Sequence, residues 1–123
     1  MKYLLTALTL VLLPGTQILA NEADVLDVKV ECSKKNVCNF DVTVKHADEG
    51  WDHYADRWEI RDSEGKRIAT RTLTHPHDDE QPFTRSLEKV DIPEGLRKVT
   101  IRARDSRHNY GGEEITVTIP KPK

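Results

Sequence analysis

A chain of 123 residues with 19 Lys and Arg against 21 Asp and Glu carries a formal charge of −2. That weak acidity excludes the basic footprint of a nucleic-acid binder. The length allows one domain with a modest core, in which a covalent staple would help.

Met1-Lys2-Tyr3 is followed by an apolar run, Leu4 to Leu13, then Pro14-Gly15 and the small-residue site Ile18-Leu19-Ala20. A short basic start, an apolar run too brief to span a bilayer and a small residue at the cut describe a secretory signal peptide, residues 1–20. The mature domain is then 21–123, periplasmic or secreted, and no second apolar segment ties it to a membrane after cleavage. In an oxidising compartment the two cysteines, Cys32 and Cys38, are expected to form a disulfide.

The strands come in order. Leu26, Val28, Val30 and Cys32 alternate with polar residues, and after a turn Cys38, Phe40, Val42 and Val44 do the same. This is the period of a half-buried strand. The pair reads as a hairpin with both cysteines in phase with the apolar face. Trp58 and Ile60 mark a third strand, Lys66–Leu73 a fourth, and Asp62-Ser63-Glu64-Gly65 the turn between them. Phe83, Arg85 and Leu87, then Val90 and Ile92, predict a fifth strand with a change of phase near Glu88, as a bulge would give. Leu96–Ala103 and Ile115–Ile119 are the last two. About seven short strands with regular turns and no helical period predict an all-β, antiparallel sandwich of the immunoglobulin or fibronectin type III kind, with Trp58 in its core.

Successive connections in such a series alternate between the two ends. The loops 46–56, 74–82 and 105–112 therefore share one end, and they contain all five histidines. Imidazole and carboxylate together suit a divalent transition metal. The His75-Pro76-His77 segment puts two rings on one side of an extended chain, and Pro76 favours that extension. His53, His75, His77 and His108 are the expected ligands of zinc or copper(II). Asp52, Asp79, Glu80 and Asp105 would support or replace a ligand, and His46, in phase with inward-facing Val42 and Val44, ranks lowest. Beyond Met1 there is no methionine, which disfavours a soft copper(I) site.

A second reading is a recognition module, with Trp51, Tyr54 and Tyr110 on the same loops contacting another periplasmic protein or a carbohydrate. Catalysis ranks third. No Gly-x-Ser-x-Gly nucleophile motif or phosphate-binding glycine loop is present, although a metal with an open position could hydrolyse. Segments Gly50–Glu59, His75-Pro76-His77, Gln81–Arg85, Asp105-Ser106 and Tyr110-Gly111-Gly112 resemble those of small exported bacterial proteins with a single immunoglobulin-like domain. The resemblance implies export and a sandwich, and carries no activity with it.

Overall fold

A computed structural model of the chain describes residues 21–122, so the expected signal segment 1–20 and its cleavage point lie outside the described residues. Seven strands follow one another: β1 (Asp24–Lys34), β2 (Val37–Lys45), β3 (Ala55–Arg61), β4 (Arg67–Thr72), β5 (Phe83–Asp91), β6 (Lys98–Asp105) and β7 (Ile115–Thr118). They form two antiparallel sheets, ordered β1-β2-β5 and β4-β3-β6-β7. The inward faces share one apolar core. Phe40, Val42, Val44 and Phe83 supply it from the first sheet, and Trp58, Ile60, Val99, Ile101 and Ala103 from the second.

Alternation fixes which residues face inward, and bulges shift it. Cys38 pairs with Val90 but Phe40 pairs with Leu87, so Glu88 and Lys89 stand against Asn39 alone. Lys89 takes a positive φ there and its N–H donates to the Asn39 side chain at 2.8 Å. This is the bulge expected near Glu88. A second register shift, between Val25 and Asp27, corrects the reading of β1. Val25 is buried and Leu26 is 47% exposed, the reverse of the simple alternation. Cys32 and Cys38 face each other across the β1–β2 hairpin and are joined by a disulfide.

The connections segregate as the strand count predicts. At one end Ile92 N–H donates to the Asn36 carbonyl (2.7 Å) and Lys35 pairs with Glu94 (3.0 Å), joining two short turns. At the other end Gly50 N–H donates to Asp78 (3.0 Å) and Ser106 N–H to the Tyr54 carbonyl (3.0 Å). The loops after β2, β4 and β6 thus meet, and the start of β1 joins them through Val25 N–H, which donates to the Glu113 carbonyl (2.9 Å). No helix among the described residues is long and apolar enough to cross a membrane.

The disulfide closes a loop of six residues' separation. Chain-entropy reasoning for so short a loop gives roughly 2 kcal/mol. Replacing both cysteines by Ala should lower the unfolding free energy by about that amount, with an unchanged denaturant slope, in equilibrium urea titrations.

Candidate metal centre

The site grows out of strand parity. His46 follows Val42 and Val44 on the inward face just beyond β2, and is 1% exposed. Asp105 closes β6 in the same way, after Ile101 and Ala103, and is fully buried. Between them sits the tight turn 49–53. Gly50, at φ +67, makes the reversal, and Glu49 N–H donates to the His53 carbonyl at 2.6 Å. The turn tips the His53 ring inward to 4% exposure.

These three side chains converge, with ligand atoms of His46, His53 and Asp105 all within 4.8 Å of one another. The two Nε2 atoms are 3.2 Å apart, and His53 Nε2 is 3.0 Å from Asp105 Oδ1. The far nitrogen of each ring is held by a carboxylate. His46 Nδ1 donates to Asp48 Oδ1 at 2.5 Å, and His53 Nδ1 donates to Glu49 Oε1 at 3.0 Å. A fourth oxygen, the Asn21 carbonyl, lies 2.8 Å from His46 Nε2.

No distribution of ring protons satisfies all of these contacts. A neutral His46 that donates to Asp48 turns the lone pair of Nε2 against the lone pairs of the Asn21 carbonyl. A charged His46 beside a neutral His53 leaves His53 facing either Glu49 or Asp105 lone pair to lone pair. Charging both sets two N–H groups against each other at 3.2 Å. Asp105 Oδ2, moreover, is buried without a hydrogen-bond partner. A cation among these atoms removes every conflict, because each Nε2 lone pair then has an acceptor of electrons and each Nδ1–H keeps its carboxylate. The spacings suit such an ion: ligand atoms on a tetrahedral centre with bonds of ~2.0–2.1 Å lie roughly 3.3 Å apart. The His46, His53 and Asp105 group could therefore hold a metal ion.

The carboxylates are built to stay ionised. Burial pushes Asp48 up, but hydrogen bonds from His46, His77 N–H (2.6 Å) and Ala55 N–H (3.0 Å) outweigh it and hold the carboxyl below its ordinary range. Burial likewise pushes Asp105 up, and the N–H groups of His108 (2.7 Å) and Arg107 (2.9 Å) bring it below that range. Burial lowers the His46 pKa, yet the bonds to Asp48 and the Asn21 carbonyl and the charges of Asp48 and Asp105 leave it raised overall.

Of the four expected ligands, only His53 belongs to the converging set. His108 touches it, its ring 4.9 Å from that of His53 and its Nδ1–H donating to Asp105 Oδ1 at 3.1 Å. His75 and His77 do lie side by side (4.5 Å between ring centres), but as a separate pair. His77 stacks on Phe83 at 3.9 Å, and its Nε2 accepts from Arg85 at 2.9 Å, which occupies the lone pair a metal would need. Burial first, then the charges of Arg85 and His75, lower its pKa. Asp48 links the two groups, since Oδ1 serves His46 and Oδ2 serves the His77 backbone.

His46, ranked lowest from the sequence, sits at the centre, and Asp105, expected as support, points straight into the cluster. Their inward parity on β2 and β6 was the available signal. Asp48 and Glu49 were missed as the carboxylates that orient the two rings. Asp79 and Glu80 are exposed, with Glu80 pairing with Arg85 (3.2 Å). Asp52 is exposed, and its carbonyl accepts from Arg107 (3.1 Å). Trp51 is 67% exposed and meets Tyr54 edge-on at 5.6 Å. Tyr110 does not join them: it lies beneath Arg102 (3.7 Å) and its hydroxyl donates to Glu59 (3.1 Å).

A protein of Halomicrobium mukohataei named "Putative lipoprotein" is 41% identical over 96 residues, which is 78% of this chain and 47% of that protein. The chain thus spans about half the length of the relative it matches. No family model matches the sequence. No solved structure matches it either.

The depressed pKa of Asp48 means that its ionised form stabilises the fold above the ordinary carboxylate value, and that this stability is lost as pH falls through the lowered folded value. Asp48→Asn should therefore destabilise the metal-free protein by about 3 kcal/mol at pH 7, because His46 loses its carboxylate. The penalty should hold down to about pH 4 and shrink only below it, as Asp48 takes up a proton, when wild type and variant are compared by chemical unfolding.

Proposed function

We propose that this chain is an exported metal-binding protein that holds one divalent transition-metal ion between His46, His53 and Asp105. The observation that carries the reading is the convergence of two imidazole nitrogens and a buried carboxylate, Asp105 Oδ2 unpartnered, in an arrangement that no distribution of protons on the two rings relieves while Asp105 is ionised. Donation of Nδ1–H from His46 to Asp48 and from His53 to Glu49 is the orientation that metal-bound histidines take. A set of two nitrogens and a carboxylate oxygen suits zinc, copper(II), nickel or iron(II), with zinc and copper(II) the leading choices in a protein exported without methionine. The strand orders β1-β2-β5 and β4-β3-β6-β7, with Trp58 buried on β3, support a sandwich of the fibronectin type III kind.

Export is supported by the leader-like residues 1–20, by the disulfide, and by the name "Putative lipoprotein" of the relative. A second reading rests on Trp51, whose exposed ring borders the same loops and could dock on a protein or a carbohydrate. The two readings separate by mutation, since Trp51→Ala would leave metal uptake unchanged.

Titration of the chelator-washed chain 21–123 with Zn²⁺ and Cu²⁺, followed by calorimetry, should give about one ion per chain. His46→Ala, His53→Ala and Asp105→Ala should each abolish or strongly weaken binding, whereas the His75→Ala/His77→Ala double variant should bind as wild type. Absence of heat with both ions would end the metal reading. Loss of binding only in the His75/His77 variant would move the site to the other pair.

A further inference from the structure

The contact that the three-residue site leaves unexplained is the one to Asn21. Its carbonyl oxygen faces His46 Nε2 at 2.8 Å, and its placement is built rather than incidental. The Asn21 side chain donates to the Ala47 carbonyl (2.5 Å) and accepts from Ala47 N–H (3.1 Å), so the residue is clamped to the loop after β2. Two residues on, Ala23 is fully buried against Gly112, where a β-carbon would collide with the Ala23 carbonyl far inside van der Waals contact. Asp24 Oδ1 accepts from Glu113 N–H at 2.8 Å. The Gly111-Gly112 pair, which the sequence presents only as a turn, is thus the groove that seats residues 22–24 and delivers Asn21 to the cluster.

Asn21 is also the residue that the leader reading makes first in the mature chain. We infer that removal of the leader completes the metal site: the α-amine freed on Asn21, with the Asn21 carbonyl oxygen, chelates the ion held by His46, His53 and Asp105. The inference rests on the metal reading above. In the cleavage, water adds across the Ala20–Asn21 amide; Ala20 leaves as a carboxylate and Asn21 retains its nitrogen as an amine. Before cleavage that nitrogen is an amide, whose lone pair is delocalised into the carbonyl and does not ligate. Afterwards it is a basic amine, and amine nitrogen and carbonyl oxygen close a five-membered ring on one ion. Binding displaces the proton of the ammonium form. The precursor therefore offers two imidazoles and a carboxylate, while the mature protein offers those and a chelating terminus. Tight loading is thereby confined to the compartment in which the leader has been removed.

The test compares the chain beginning at Asn21 with a free amine and the same chain with that amine acetylated, each titrated with Zn²⁺ and Cu²⁺ against a chromophoric chelator. Acetylation should weaken binding by about tenfold or more, as losing a ligand costs at least what losing a supporting contact does. It should also shift the visible absorption of the Cu²⁺ form to longer wavelength. The unfolding midpoints of the two metal-free forms should agree, which separates ligation from folding. Equal affinities and identical Cu²⁺ spectra would overturn the inference and leave the metal reading standing. Absence of binding by both forms would overturn both.

Discussion

One buried carboxylate sets the geometry of the loop end. Asp48 reaches His46 on the end of β2, the first N–H of β3 at Ala55, and the backbone of His77 in the loop before β5. Its side chain has no solvent exposure, so each of those donors has exchanged water for this single partner. A buried charge is tolerable only when its hydrogen-bonding capacity is filled, and here it is filled from three separate segments. The same bonds that keep Asp48 ionised fix the His46 ring with its Nδ1–H turned outward and its Nε2 turned toward His53. The loop end is thus rigid for the reason that it is polar.

Against that strut the centre itself is electrostatically incomplete. His46 Nε2 stands 2.8 Å from the Asn21 carbonyl and 3.2 Å from His53 Nε2, which stands 3.0 Å from Asp105 Oδ1. Proteins bury polar atoms with partners, and Asp105 Oδ2, beside two imidazole nitrogens that compete for the same protons, is an exception that a bound ion would explain. A divalent cation fits both the spacing and the charge. The other histidine pair is held differently: His77 has Phe83 on its face and Arg85 on its Nε2, so the lone pair of that nitrogen is taken, while its Nδ1 is buried without a hydrogen-bond partner.

Much of the fold was legible because β-structure writes itself in period two. The hairpin with its cysteines, the buried Trp58 and the bulge opposite Asn39 follow from parity, and so does the gathering of three loops at one end. The same parity misled at Leu26, where a bulge in β1 reverses the faces and nothing in the local composition announces it. At the site, adjacency in sequence made His75 and His77 conspicuous and concealed His46, whose partners lie 7 and 59 residues away along the chain at His53 and Asp105. Inward direction was treated as a mark of a structural histidine, when for a ligand at the rim of a core it is the requirement. The role of residues 21–24 was not legible at all, because the seating of that segment on Gly112 is a tertiary contact with no sequence signature.

The claim on which the account turns is that a metal ion occupies the space between two particular imidazoles. Crystals of the chain 21–123 grown with Zn²⁺, measured on both sides of the zinc absorption edge, test it most directly. The account predicts one strong anomalous peak within bonding distance of His46 Nε2, His53 Nε2 and Asp105, with both Nδ1 atoms still on Asp48 and Glu49. A peak between His75 and His77, or ordered water alone among His46, His53 and Asp105, would contradict it.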